Sequence, residues 1–228
     1  MGNILAIPSR AYLTWRNEPH ATHYVVGELA RLGNSRYCFK YSAGSDLDEA
    51  RKRGFKGHPA FKLNLKQKYT KNALEVFAAR LPGRNRGDFK DFLGYWEIDN
   101  PDIDEFALIA ITGARLATDS FEFIAPYGDL ENCTFLSELA GVVYAGDLKG
   151  GSFGEGASVK FQREPTNPKD IHAVQVYCDD IFLGYIKKVH ACAVSKAIDN
   201  DIPVAAKIHR LVQNGVIRSI LLSISIGK

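Results

Sequence analysis

The second half of the chain is a series of short strand-like segments separated by strong turn signals, and this limits its possible folds more than any other feature. Aromatic and β-branched residues are frequent in 134–144, 157–164, 173–178 and 181–186. Two longer segments, 203–213 and 216–225, flank Asn214 and Gly215, a pair that favours a tight hairpin because both turn positions need a positive φ. One helical pattern covers 189–200. Such a sequence predicts a small, strongly bent sheet or partly open barrel with one helix.

The first half has a different pattern, in which three short strands precede several helices. The predicted strands are 12–16, 25–31 and 37–41, with a later one at 121–124. Ser45 with Asp48 resembles a capping box, and Thr70 is a suitable cap for a second helix. Gly113 is placed to end an apolar helix over 103–111. We therefore predict an α+β chain with a small antiparallel sheet and helices in residues 1–130 and the barrel in residues 131–228.

Charge is distributed unevenly along the first half. Residues 51–90 contain twelve Lys or Arg against two acids, a net charge of +10, and residues 91–131 contain one Arg against ten acids, a net charge of −9. The basic segment could neutralise DNA phosphates, in which case Lys66, Lys68 and Lys71 are candidate contacts. Alternatively, the acidic segment folds back and pairs with the basic one. A third interpretation is a dipolar surface for a protein partner.

The chain lacks the residue patterns that most enzymes and metalloproteins need. Its four cysteines are far apart and form no C-x-x-C pair, and its six histidines form no metal-binding pattern. Cys192 lies close to His190 in sequence, but a nucleophile and a base this near on one helix do not converge. No apolar segment is long enough to cross a bilayer. We expect a cytoplasmic, non-enzymatic protein with no metal and no cofactor.

Residues 163–188 combine features that can hold single-stranded nucleic acid. The segment contains R-E-P-T-N-P-K-D at 163–170, A-V-Q-V at 173–176 and L-G-Y-I at 183–186. The prolines force extended or turn backbone, and Asp170 can hold this loop through bonds to neighbouring amides. Tyr185 offers an aromatic face near the ammonium groups of Lys187 and Lys188, and stacking beside a cation is a common way to hold a single strand. The alternative is that Asp170 only caps a turn and Tyr185 fills the core.

From residue 141 onward, the order and spacing of these motifs resemble the HIRAN family. HIRAN domains, as in helicase-like transcription factors, are small OB-like or SH3-like barrels that hold a single-stranded 3′ end of DNA, and the resemblance implies the same fold and role here. The chain departs from the family where Val143 and Ala145 replace an arginine and a second tyrosine, and where Lys169 replaces a tyrosine. The DNA-binding residues implied are Tyr144, Lys169, Asp170, Tyr185, Lys187 and Lys188.

The first half resembles the small N-terminal subdomain of HipA-type toxin kinases. The matching motifs are V-G-E-L-A-R-L at 26–32, Y-C-F-K-Y at 37–41, L-P-G-R at 81–84 and D-E-F-A-L-I-A-I-T-G-A-R at 104–115. That subdomain packs on the kinase core and also exists as a free antitoxin chain, whereas the glycine-rich loop and the catalytic-loop pattern of a kinase are missing from this sequence. Bacterial proteins that combine both halves form a family, and the resemblance to them would cover nearly the whole chain.

Two hypotheses of different classes follow. In the first, the protein is a DNA-binding module that recognises single strands or 3′ ends, with exposed ends of the kind handled in DNA repair as its partner. In the second, it is a protein-interaction subunit, an antitoxin-like partner of a separate HipA-type kinase. Both hypotheses can hold for different halves of the chain.

Overall fold

The computed structural model describes residues 5–18, 22–33, 35–128, 132–142, 153–214 and 216–227. It divides into two compact units, one of residues Ile7–Pro126 and one that joins Met1–Ala6 to Tyr127–Lys228. The predicted domain boundary lies at residue 130. Leu5 and Ala6 belong with the second unit because the Ala6 amide donates a hydrogen bond to the Thr134 carbonyl (2.8 Å). No helix within the described ranges is long and apolar enough to span a membrane.

The first unit is built on a four-stranded antiparallel sheet. The strands are β1 (Arg10–Trp15), β2 (Tyr24–Arg31), β3 (Tyr37–Tyr41), β4 (Gly57–His58), β5 (Phe61–Lys62) and β6 (Phe121–Ile124). The sheet order is β3-β2-β1-β6, and β4 and β5 form a separate two-residue ladder. Phe39 is fully buried and contacts Tyr41, Phe61 and Phe77 through tilted or edge-on ring pairs, so aromatic side chains form much of the core. The predicted strand at 121–124 is confirmed.

Four helices accompany this sheet. They are α1 (Ser45–Lys52), α2 (Ala73–Ala78), α3 (Phe89–Tyr95) and α4 (Glu105–Thr112). The predicted caps of the first two helices are wrong, because Gly44 and Asn72 occupy the cap positions without a side-chain hydrogen bond. Asp104 caps α4 by accepting a hydrogen bond from the Ala107 amide (2.8 Å). Gly113 ends α4 at a φ of 76°, as predicted, since glycine adopts this left-handed conformation at little cost.

The second unit is a closed six-stranded barrel with one helix. Its elements are β7 (Cys133–Ala140), β8 (Ser158–Arg163), β9 (Val174–Cys178), β10 (Ile181–Ile186), α5 (Lys188–Asp199), β11 (Val204–Asn214) and β12 (Val216–Ile226). The strands close in the order β10-β7-β12-β11-β8-β9. The predicted fold class, α+β with an antiparallel sheet in the first half and an OB-like barrel in the second, is confirmed.

The barrel interior follows the two-residue alternation of its strands. In β9, Val174 and Val176 are fully buried whereas Gln175 and Tyr177 are half-exposed, so the odd-numbered side chains of this strand face outward. The long hairpin of β11 and β12 adds buried aliphatic side chains, and α5 covers part of the core with Ala191. This alternation places a defined set of polar and aromatic residues on the outside of β8, β9 and β10.

Candidate nucleic-acid interface

Gly184 positions Tyr185 at the junction of β10 and β7. Its φ is +136°, and a Cβ atom at this position would lie 2.6 Å from the Ala140 carbonyl oxygen, so a side chain cannot be accommodated without a shift of backbone. The two strands can therefore approach closely only with glycine here. Tyr185 then pairs with Ala140 on β7 and with Gln175 on β9. The tyrosine side chain is half-exposed and is not part of the barrel core.

Polar neighbours fix the Tyr185 hydroxyl. Gln175 Nε2 donates to the hydroxyl oxygen (3.3 Å), and the Tyr177 hydroxyl donates to Gln175 Oε1 (2.8 Å). The Gln175 bond acts to lower the pKa of Tyr185, but partial burial and the adjacent Glu164 carboxylate outweigh it and raise that pKa. Tyr185 therefore stays neutral at physiological pH and presents an uncharged aromatic ring.

Glu164 connects Tyr185 to the proline-containing loop. Hydrogen bonds from Asn167 first, and then from Tyr185, lower the pKa of the Glu164 carboxyl. The Asn167 side chain donates to Glu164 Oε2 (2.7 Å) and accepts from the Lys169 amide (2.9 Å). Asp170 Oδ1 accepts from the His172 amide (2.9 Å), which is the turn-capping geometry expected as one alternative. The loop that carries Lys169 and Asp170 is thus linked to Tyr185 through an ordered chain of side chains.

The far side of this loop is anchored to α5. Arg163 forms two hydrogen bonds with the Asp199 carboxylate (2.9 and 3.1 Å) and donates to the Ala173 carbonyl (2.9 Å). His172 Nδ1 and the Ser195 hydroxyl share a further hydrogen bond (3.1 Å). These contacts hold the loop from both ends, so Asp170 lies on a fixed wall near the barrel rim.

Two lysines follow Tyr185, and their environments differ. Lys187 forms an ion pair with Glu138 of β7 at 3.0 Å, and only 14% of its side chain is exposed. Lys188 is exposed and is the first residue of α5, which begins one residue before the predicted start. Lys187 lies between β10 and α5 and takes an extended conformation (φ −55°, ψ 137°), so the helix begins directly after the strand. Lys188 therefore lies at the N-terminal end of α5, three positions after Tyr185.

The structure thus brings together four of the six residues predicted for DNA binding. Tyr185, Lys187 and Lys188 lie within four consecutive positions, and Asp170 lies on the loop that also carries Glu164 and Asn167. Lys169 is exposed on the same loop. Tyr144 lies outside the described residues, and β7 ends at Ala140 rather than at the predicted residue 144.

Sequence reasoning missed residues that complete this site. Gln175 hydrogen-bonds Tyr185, and the Glu164 carboxylate helps to raise the pKa of this tyrosine. Gln175 was detectable, because it is an outward-facing position of a strand predicted to pair with the strand of Tyr185. Glu164 belongs to the loop motif, but its proximity to Tyr185 depends on tertiary structure and could not be predicted from the motif.

The basic segment of the first unit is partly paired with the acidic segment. Arg80 is buried and binds the Asp119 carboxylate through two nitrogens (2.5 and 2.9 Å), and Arg84 lies 3.6 Å from Glu105. The candidate phosphate contacts are Lys66, Lys68 and Lys71. All three are exposed on the loop between β5 and α2 and have no ion pair in the part of the chain that is described. Internal pairing therefore accounts for Arg80 and Arg84, whereas contact of the three lysines with DNA stays a prediction.

Other titratable clusters of the first unit are structural. Glu122 is buried and pairs with Arg115 (2.7 Å) and with His23 (3.5 Å). His58 packs edge-on against Phe121 and accepts the Ala60 amide at Nδ1 (3.2 Å). No group of three or more His, Cys, Asp or Glu within the described ranges is arranged to hold a metal ion.

Comparison with known proteins assigns the barrel. A family model described as the HIRAN domain matches residues 133–225, from the start of β7 almost to the end of β12. Residues 133–225 form a HIRAN domain. HIRAN domains are DNA-binding modules, so the barrel is assigned to DNA binding in general. The match does not extend into the first unit, and no curated protein matches the chain.

Two solved structures are similar to this HIRAN domain. One is the crystal structure of the HIRAN domain of human HLTF, with 22% identity over 41% of this chain and 74% of that chain, and a TM-score of 0.35. The other is a protein from Lactobacillus plantarum, with 21% identity over 40% of this chain and 91% of that chain, and a TM-score of 0.33.

Proposed function

We propose that the HIRAN domain of this protein binds single-stranded DNA, with Tyr185 as the residue on which a base stacks. The observation that carries the proposal is the placement of a half-exposed, hydroxyl-anchored tyrosine between the Asp170 loop and the lysine at the start of α5. Every base has a flat π-face, so a fixed aromatic ring holds an unpaired base whatever its identity. Bases within a duplex are already stacked and cannot offer that face.

Lys188 supplies the charge that this site needs. A phosphate that flanks the stacked base would lie near its ammonium group and near the N-terminal end of α5. The α5 helix is twelve residues long, and its N-terminal end carries partial positive charge. Lys187 is paired with Glu138, so it would add positive potential at the site rather than contact a phosphate directly.

Asp170 would set the preference for a 3′ end. One of its carboxylate oxygens accepts the His172 amide, and the second can accept a hydrogen bond from a terminal sugar hydroxyl. A 3′-phosphate would be repelled by the carboxylate. We therefore expect the site to prefer a 3′-hydroxyl over a 3′-phosphate, and Asp170→Asn to reduce this preference.

The proposal is tested by fluorescence anisotropy with a labelled single strand. Losing a stacked aromatic costs about 1–3 kcal/mol per base, so Tyr185→Ala should weaken binding roughly five- to a hundred-fold. Tyr185→Phe is the matched control, because it keeps the ring and removes only the hydroxyl, and it should bind within a few-fold of the parent. Parental affinity of Tyr185→Ala, with unchanged melting behaviour, would show that the site is wrong.

Charge at the site is tested separately. Lys188→Ala should lower the log–log salt slope by about 0.7, the value for one lost phosphate contact on a single strand. Lys196→Ala is the control, since Lys196 is an exposed lysine in the last turn of the same helix. Equal slopes for the two variants would remove Lys188 from the site.

The first unit supports a second candidate role. It is a compact unit of its own that the HIRAN match does not cover, and Arg80 and Arg84 of its basic segment are occupied by internal contacts. We propose that it is a protein-interaction unit in an antitoxin-like, HipA-type partnership, and that the whole chain is cytoplasmic and non-enzymatic. Turnover of ATP or DNA that co-purifies with the protein and vanishes on a single substitution would contradict the last point.

A further inference from the structure

We propose that the outward face of β8, β9 and β10 extends the Tyr185 site into a second stacking surface, formed by Tyr177 and Phe182 and bordered by Lys160 and Lys207. The occupant is the next nucleotides of the same single strand. This inference rests on the proposed function, because the strand is assumed to enter at Tyr185.

Strand register places these residues on one face. Tyr177 of β9 pairs with Lys160 of β8 on one side and with Phe182 of β10 on the other. Directly paired residues point to the same side of a sheet, so the three side chains form one row across the barrel wall. Tyr177 and Phe182 are half-exposed, and Lys160 is exposed, so this row faces outward.

The row is continuous with Tyr185. The Phe182 ring lies 5.4 Å from the Tyr185 ring at an interplanar angle of 77°, and 5.5 Å from the Tyr177 ring. Gln175 bonds the hydroxyls of both tyrosines, which fixes their orientation relative to each other. The three linked aromatic rings lie on the water-facing side of the barrel and are half-exposed, and aromatic side chains with an accessible face are suited to contact a ligand.

Charge at the edges favours a polyanion that crosses the strands. Lys207 of β11 pairs with Ser158, two residues before Lys160 on β8, so the two ammonium groups lie on the same face. Both lysines are exposed and have no ion pair within the described ranges. The β9–β10 turn instead carries the exposed acids Asp179 and Asp180. Phosphates are therefore favoured toward β8 and β11 and disfavoured toward this turn, which sets the path from Tyr185 to Lys160.

The orientation of the rings selects an unpaired strand. The Phe182 and Tyr185 rings meet at an interplanar angle of 77°, so bases that stack on both rings cannot lie parallel to each other. Successive bases of a duplex strand are parallel and stacked on one another. A strand must therefore be unstacked to place successive bases on these rings, which a single strand can do and a B-form duplex cannot.

The test compares a thymidine dinucleotide with an oligothymidylate of about eight nucleotides, a length within the range that one OB-type barrel binds. Tyr177→Ala should lower affinity for the longer oligomer roughly five- to a hundred-fold and leave dinucleotide affinity unchanged. Tyr177→Phe is the matched control, because it keeps the ring and loses the bond to Gln175. It should behave like the parent protein at both lengths.

A second variant leaves the aromatic side chains unchanged and replaces only exposed lysines. The double change Lys160→Ser and Lys207→Ser should lower the salt slope for the longer oligomer by about 1.4, two lost single-strand contacts, and should not alter the slope for the dinucleotide. Melting temperatures of all variants are measured in parallel to confirm that each is folded.

The outcomes separate this inference from the proposed function. If Tyr185→Ala weakens binding at both lengths while Tyr177→Ala and the lysine pair bind the longer oligomer like the parent, the second surface is overturned and the Tyr185 site stands. If Tyr177→Phe loses as much as Tyr177→Ala, stacking is overturned as the cause. A parent protein that binds neither oligomer overturns both and assigns this face to a protein partner.

Discussion

Gly184 is the residue on which the geometry of the site depends most. A methyl group there would collide with the Ala140 carbonyl, and the positive φ is unfavourable for any other residue. Gly184→Ala should therefore destabilise the barrel by about 1–3 kcal/mol and separate β10 from β7. We expect a lower melting temperature together with loss of single-strand binding.

The matched control is Gly154→Ala, since a Cβ atom at Gly154 has no heavy atom within 4 Å and the position has no positive φ. Melting temperatures measured by circular dichroism and binding measured by anisotropy decide the outcome. A Gly184→Ala variant with the parent's stability would show that β10 and β7 can separate at no cost.

His58 makes the stability of the first unit depend on pH. Burial first, and repulsion from Arg80 second, lower its pKa from 6.5 to about 4, although Asp119 acts in the opposite direction. Between these two values the unfolded chain binds a proton that the folded chain does not, so stability is complete above about pH 6.5 and is lost as the pH falls toward 4. Melting temperature should fall over this interval by several degrees.

His58→Asn isolates this effect. An asparagine oxygen can still accept the Ala60 amide two residues on, but it does not titrate. The variant is expected to be less stable at neutral pH because ring contacts are lost, yet its melting temperature should change less between pH 6.5 and 5. A pH slope identical to that of the parent would mean that other groups cause it.

A candidate role could be assigned to a residue from the sequence only where that residue belongs to a recognisable motif. Tyr185, Lys188 and Asp170 are candidates because aromatic, cationic and turn-forming side chains follow each other in a short, recognisable stretch. The ion pair of Lys187 with Glu138 was not identified, because the two residues are brought together by pairing of β10 with β7. Contacts of this type depend on tertiary register, which local sequence does not specify.

Among the elements of the first unit, the loop between β5 and α2 is the best candidate for contact with DNA phosphates. It carries Lys66, Lys68 and Lys71, all exposed. If these lysines contact DNA, reversing all three to glutamate should weaken single-strand binding and lower the salt slope by about 0.7 for each lost contact. The measurement is a salt titration of the affinity of the full chain.

Lys90→Glu, a reversal on the exposed side of α3, serves as the control for a nonspecific change of net charge. A slope that stays unchanged while the melting temperature drops would instead mean that the loop lysines stabilise the first unit. If the salt slope and the melting temperature are both unchanged, the loop lysines contribute neither to DNA binding nor to the stability of the first unit.

The positions of the elements were predictable, but their pairing was not. Turn signals such as Asn214 with Gly215 separate β11 from β12, and the two-residue alternation marks β9 as a half-exposed strand. Within the described residues, β8 and β11 meet in two register pairs, Val159 with Ala206 and Ser158 with Lys207, and β10 and β7 also meet in two. Long-range pairs of this kind are fixed by the packed core rather than by nearby sequence.

At the scale of the whole molecule, the chain consists of two compact units. The unit that contains Tyr127–Lys228 has a family assignment, a defined barrel and a candidate site. The unit Ile7–Pro126 has a well-packed aromatic core and exposed lysines, and its role remains a proposal. The proposed function requires that single-stranded DNA contacts the barrel at Tyr185.

Hydrogen–deuterium exchange of the full chain, with and without a saturating single-stranded oligothymidylate, tests this claim most directly. The account predicts slower amide exchange in residues 164–173 and 183–192, and little change with a blunt duplex of the same length. Protection confined to residues 63–72, or equal protection by single strand and duplex, would contradict a single-strand site on the HIRAN domain.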